Sequence, residues 1–141
     1  MNVLYAVLKF AVYSGWCWVG LKLFRPHGER RPRAALGLGL LRLGMGAFFG
    51  ILIWVLGTAA ARPLGGNQVL IYLAVYVPVR WIEWAIIDLL IQPERFSFKV
   101  FFLGAGPVSR GWRARGIVVS CLADVPVIVS MGGLPLGRFM C

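Results

Sequence analysis

Four long apolar stretches, separated by short clusters of charge, proline and glycine, organise the chain. The first runs from Val3 to Phe24, interrupted by Lys9 and Lys22, and stops at RPHGERRPR. The second, Ala34 to Ala61, contains an uncharged run from Leu43 to Ala61 and stops at Arg62-Pro63, after which RPLGGNQ supplies a turn. The third extends from Gln68 to Ile91 and ends before Pro93, because a proline disfavours helical geometry in the residue that precedes it. The fourth, Gly116 to about Leu136, contains Asp124 and Pro126 and ends in GGLPLG, a sequence that frays a helix.

A helix needs about 20 apolar residues to cross roughly 30 Å of hydrocarbon. Each stretch meets that length. The predicted fold is therefore an all-α integral membrane protein, a single domain over residues 1–141 built as a bundle of four transmembrane helices. The helices are expected at about 3–24, 34–61, 68–91 and 116–136, with connections at 25–33 and 92–115. The longer connection, QPERFSFKVFFLGAGPVSRGWRAR, mixes Phe96, Phe98, Phe101, Phe102 and Trp112 with cations. That mixture fits both an interfacial segment and a solvated loop with aromatic anchors.

Composition strengthens the membrane assignment. Of 141 residues, 60% are apolar and 14% charged, with a mean hydropathy of +0.79. Soluble domains carry roughly 25% charge. A net charge of +10 in a soluble chain would suggest nucleic acid as a partner. Here the cations cluster between apolar runs, which is how cytoplasmic loops of membrane proteins are marked, and no nucleic-acid partner is expected. Arg25, Arg30, Arg31 and Arg33 lie in the first connection, and Arg95, Lys99, Arg110, Arg113 and Arg115 in the third. Only Arg62 and Arg138 lie on the opposite side. The expected orientation places both basic connections in the cytoplasm and both termini outside, in a bacterial or archaeal plasma membrane. No basic residue precedes the first apolar run and no A-x-A-like site follows it, which disfavours a cleaved signal peptide. Cys17, Cys121 and Cys141 are odd in number and widely spaced, which predicts neither a disulfide framework nor a metal centre, and no cofactor motif is present.

The charges inside the spans are the candidate chemistry. Projected at about 100° per residue, Tyr72, Glu83, Tyr76 and Arg80 of the third span fall within about 80° of one another, with Trp84 beside them. Asp88 falls near 160°, off that stripe and close to the cytoplasmic end, where water or loop arginines are expected to satisfy it. Arg42 of the second span shares a face with Gly39, Gly46, Gly50 and Gly57, a smooth groove that lets another backbone approach closely. Ser120 and Asp124 of the fourth span are four apart and share a face. On the first span Lys9 lies on a face with Tyr5 and Tyr13, one or two turns from the end, and is expected to snorkel outward.

Depth links three of these helices. At 1.5 Å per residue, Arg42, Glu83 and Asp124 lie about 12 Å, and Arg80 about 16 Å, inside the cytoplasmic ends of their spans. A charge at a helix centre costs about 2.5 to 3.5 kcal/mol on insertion scales. Pairing removes most of that penalty, so a near-neutral cluster of Arg42, Arg80, Glu83 and Asp124 is predicted, supported by Tyr72, Tyr76, Trp84 and Ser120. Three function classes fit it. The first is a non-catalytic or accessory membrane protein that binds a lipid headgroup, from membrane lipids that include anionic ones, or the helices of a larger membrane complex. The second is a homo-oligomeric transporter using the carboxylates, with the glycine face as its contact. The third is an enzyme acting on a lipid or lipid-linked substrate, against which stands the absence of any G-x-S-x-G, H-E-x-x-H, P-loop or dinucleotide fingerprint.

Overall fold

A computed structural model describes residues 3–26 and 31–130. His27, Arg30, Arg138, Cys141, the GGLPLG end of the fourth span and both chain termini lie outside the described residues. Among the described residues all regular structure is helical. In chain order the elements are α1 (Val3–Phe24), α2 (Arg31–Ala61), α3 (Gln68–Ile71), a π-helical turn (Tyr72–Tyr76), α4 (Val77–Ile91), a 3-10 turn (Pro93–Arg95), α5 (Phe98–Leu103) and α6 (Pro107–Ser130). Three helical spans are long and apolar enough to cross a membrane: Val3–Phe24, Arg31–Ala61 and Val69–Ile91.

The third span is continuous but changes pitch. Pro78 has no N–H to donate to the carbonyl of Ala74, and the wider i to i+5 register of Tyr72–Tyr76 passes over this gap without ending the helix. The span then stops at Gln92, whose φ of −127° and ψ of 60° leave the helical region ahead of Pro93.

The connection expected over 92–115 is largely helical, which is a correction. Ser97 caps α5 by accepting a hydrogen bond from Val100 N at 3.1 Å. Gly104 and Gly106, at φ of 79° and 137°, turn the chain, and Pro107 opens α6. The last helix therefore starts at Pro107 and not at Gly116, and Arg110, Arg113 and Arg115 belong to it. Hydrophobicity misplaces this start because the first turns of α6 are basic. Proline after two turn glycines is the better signal.

Helix α1 packs on α2, α4 and α6, and α4 packs on α2, α5 and α6. Small residues set the close approaches. A Cβ at Gly39 would lie 2.8 Å from both Cα and N of Ser14, so α1 and α2 touch backbone to backbone there. Gly57 faces Ile71 of α3. Gly39, Gly46 and Gly50 are buried, so this stretch of the α2 glycine face packs inside the chain.

Glycines also admit the aromatic core. A Cβ at Gly20 would meet the Trp112 ring at 2.7 Å, and one at Gly116 would meet Trp84 at 2.8 Å. Trp16 stacks on Trp112 at 9° with centroids 6.3 Å apart, Trp84 meets Trp112 edge-on at 5.3 Å, and Tyr13 meets Trp84 edge-on at 6.1 Å. This layer has a polar cluster on either side of it. The outer surface is apolar: Leu40, Phe48, Ile51, Trp54, Val55, Leu73 and Leu122 are exposed, while Lys9, Arg42, Arg80, Glu83, Asp88, Arg113 and Asp124 are buried. Charges inside and large apolar side chains outside suit hydrocarbon as the surrounding solvent.

Candidate functional site

The first buried cluster draws on all four long helical segments. Glu83 Oε2 pairs with Arg42 Nη2 at 2.6 Å and with Arg80 Nη1 at 2.8 Å. Arg80 Nη2 lies 3.9 Å from Asp124 Oδ2. Asp124 Oδ1 accepts from Tyr5 at 2.6 Å and pairs with Lys9 Nζ at 2.7 Å, and Oδ2 accepts from Tyr76 at 2.5 Å. The structure thus brings Arg42, Arg80, Glu83 and Asp124 together as one connected, fully buried set.

Lys9 corrects the expectation that it snorkels outward. It is buried, with Nζ on Asp124 and 4.7 Å from the Tyr5 ring centroid. The signal was present in the sequence as the Tyr5, Lys9 and Tyr13 face of α1. Its distance from the chain start hid it, because α1 runs antiparallel to α6 and brings that first turn beside Asp124. Lys9, Tyr5 and Tyr13 join the site as residues that sequence reasoning left out of it.

Aromatic faces line the cations. The Arg42 guanidinium carbon lies 4.8 Å from the Tyr13 centroid and 5.1 Å from Trp84, and that of Arg80 lies 4.6 Å from Tyr76. The π turn sets Tyr72 and Tyr76 in a stack with centroids 4.3 Å apart. Tyr72 Oη sits 3.1 Å from Cys121 Sγ, so Tyr72 supports the pocket wall and does not reach the carboxylates. Trp84 donates to Ser120 Oγ at 3.2 Å, and Ser120 donates to the Gly116 carbonyl at 2.9 Å, which fixes the indole beneath Arg42.

With Lys9 included, three cations face two carboxylates, and the expected near-neutral balance gives way to one excess positive charge. Hydrogen bonding is incomplete as well. Arg42 Nε and Nη1, Arg80 Nε and Nη2, and Glu83 Oε1 are buried with no hydrogen-bond partner. Buried polar groups are ordinarily satisfied, and each exception calls for an explanation. Beside them stands Gly46, where a Cβ would lie 3.6 Å from Arg42 Nη1 and 3.8 Å from Arg80 Nη1. The glycine leaves about a methyl group's worth of room against both guanidinium groups.

The second cluster holds Asp88, expected to be satisfied by water or by arginines of the following connection. It is 2% exposed. Arg113 Nε pairs with Asp88 Oδ2 at 2.7 Å, Ser109 donates a short hydrogen bond to the same oxygen, and Gln92 Nε2 donates to Oδ1 at 2.8 Å. The remaining Arg113 nitrogens donate to the carbonyls of Phe101 at 2.6 Å and Val100 at 3.1 Å. Arg113 and Ser109 come from α6 and not from a loop, since α6 begins at Pro107, and Gln92 comes from the end of α4.

Comparison of the chain with protein-family models, curated proteins and solved structures finds no match in any of the three. Among the described residues no three His, Cys, Asp or Glu side chains gather as a metal site. The chemistry on offer is anion recognition: two guanidinium groups with free N–H donors, bridged by one shared carboxylate in a buried, aromatic-lined environment.

Proposed function

We propose that this chain is a non-catalytic polytopic membrane protein that binds a phosphate-bearing anion, the headgroup of a membrane lipid, between Arg42 and Arg80. The observation that carries this reading is the excess of one cation together with unpartnered guanidinium nitrogens beside Gly46. A bound anion balances the charge and supplies acceptors that the protein itself does not. In this reading α6 is the fourth membrane-crossing helix, the basic connections face the cytoplasm and the termini lie outside, following the bias of Lys and Arg along the chain. The transport alternative has less support, because its proposed oligomer contact, the glycine face of α2, packs within the chain at Gly39 and Gly57. The enzyme alternative has less support, because the buried hydroxyl groups that meet a carboxylate, Ser109 on Asp88 and Tyr76 on Asp124, do so where that carboxylate is already paired with Arg113 or Lys9.

The test is thermal stability of the purified protein in neutral detergent, titrated with short-chain phosphatidylglycerol, diacylglycerol or inorganic phosphate. Phosphatidylglycerol is expected to stabilise by about 2.7 kcal/mol when present at a hundredfold its dissociation constant. Diacylglycerol, lacking phosphate, is expected to do nothing. Stabilisation by inorganic phosphate alone would reassign the site to a free anion, and no response to either phosphate would overturn the proposal. Gly46→Ala, which fills the space at ordinary van der Waals distance and keeps every charge, is expected to remove the part of the response that comes from binding between Arg42 and Arg80.

A further inference from the structure

Helix α5 is short, yet it is tied to the bundle by its carbonyl end. Arg113, itself buried on Asp88, donates to the carbonyls of Val100 and Phe101, and Trp81 Nε1 donates to that of Phe102 at 2.8 Å. These bonds hold α5 as a fixed platform on the ends of α4 and α6. What the platform presents is apolar: Phe96 is 67% exposed, Phe98 80%, Phe102 54% and Leu103 55%. A soluble protein gains nothing by fixing four large apolar side chains outward.

Between α5 and the start of α6 lies an open cleft of about 450 Å³ whose seven lining residues include Arg95, Lys99, Leu103 and Arg110. Three of the seven are cationic, and Arg95, Lys99 and Arg110 are all exposed. The cleft lies at the bundle end where Phe24 meets Trp112 and Arg25 approaches Glu94, which is the end at which the apolar stretches of α1 and α4 finish. Cations beside outward aromatics at the limit of the apolar surface are the two halves of an interfacial lipid site: headgroup electrostatics and partial insertion of rings.

We infer that this cleft holds the headgroup of an anionic phospholipid while Phe98 and Phe102 enter the acyl boundary of the same leaflet. The site is separate from the one proposed between Arg42 and Arg80. It uses a different helix pair, lies beyond the tryptophan layer and needs no opening of the bundle. Its cations are exposed where those of the inner site are buried, so it takes the lipid from the surrounding leaflet directly. The pairing of charge with fixed aromatics also selects for a bilayer over an acidic peptide, which would leave the rings in water.

Native mass spectrometry of the full chain, released from mixed micelles of phosphatidylglycerol and phosphatidylcholine, tests this by counting retained lipids. The wild type is expected to hold two phosphatidylglycerol molecules. Arg95→Gln/Lys99→Gln/Arg110→Gln, with Arg42 and Arg80 intact, is expected to hold one, its apparent affinity for the second lower by about tenfold or more. Gly46→Ala is expected to lose the other and keep this one, so failure of either site is read separately. Unchanged retention in the triple variant, or equal retention of the zwitterionic lipid, would overturn the inference. A nitroxide at Phe98→Cys, in a chain whose native cysteines are alanine, is expected to be more accessible to oxygen than to a water-soluble nickel complex. The reverse ranking, with an acidic peptide bound instead, would reassign the cleft to a protein partner.

Discussion

Two buried ion-pair clusters lie on either side of the tryptophan layer, and they differ in how completely they are satisfied. At Asp88, one carboxylate meets one guanidinium, both carboxylate oxygens accept, and Arg113 finishes its bonding on two backbone carbonyls. At Glu83 and Asp124, three cations meet two carboxylates, and five guanidinium or carboxylate atoms have no hydrogen-bond partner: Nε and Nη1 of Arg42, Nε and Nη2 of Arg80, and Oε1 of Glu83. A cluster that only holds helices together has no reason to leave donors free, since each such group carries a desolvation penalty of about 1 to 3 kcal/mol. The saturated cluster is a lock for α4, α5 and α6. The unsaturated one leaves the donors that the proposed anion would occupy.

The strongest test of this contrast is Arg113→Met. It strands Asp88 and two carbonyls, and is expected to lower unfolding free energy by about 3 to 5 kcal/mol, as for other broken buried pairs. Thermal denaturation in detergent should show that loss with the phosphatidylglycerol response per bound lipid at Arg42 and Arg80 intact. Next in size, Tyr76→Phe removes a 2.5 Å hydrogen bond to Asp124 and is expected to destabilise by about 1.5 to 3 kcal/mol. Lys9→Met has a smaller expected effect, about 1 kcal/mol, because Asp124 keeps two phenols and Arg80. It also removes the excess charge, so phosphate-lipid stabilisation should fall with it. If Lys9→Met instead matches Arg113→Met in lost stability and leaves lipid response unchanged, the two clusters are equivalent and the contrast fails. Gly46→Ala sits at the end of the series. Stability is expected to move by no more than about 1 kcal/mol, and upward, since alanine is favoured over glycine inside a helix and its Cβ lands at ordinary contact distance, while one of the two calorimetric lipid-binding events is lost.

The distribution of what was legible follows from the physics of each signal. Arg42, Arg80, Glu83 and Asp124 could be linked from the sequence because helical projection and depth count residues along single helices, and an unpaired charge in hydrocarbon is strongly disfavoured. Lys9 and Asp88 each lie near the limit of an apolar run, where water is a plausible partner, and only the packing of α6 against both helices shows which protein group is there; for Asp88 it is an arginine, as expected, but one carried by a helix. Arg113 was assigned to a loop because a basic first turn hides a helix from any hydrophobicity measure.

By itself the sequence determined an all-helical chain with spans apolar enough to cross a membrane, since the length and apolarity of a segment are local properties. It also determined that its intramembrane charges must find partners. Which further groups complete that pairing was decided by tertiary structure. The antiparallel docking of α1 and α4 on α6 chose Lys9 for Asp124 and Arg113 for Asp88, the backbone contact at Gly39 set the register of α1 on α2, and the π turn at Tyr72–Tyr76 aimed Tyr76 at Asp124. Pairing across helices depends on register and rotation, and no single helix carries that information.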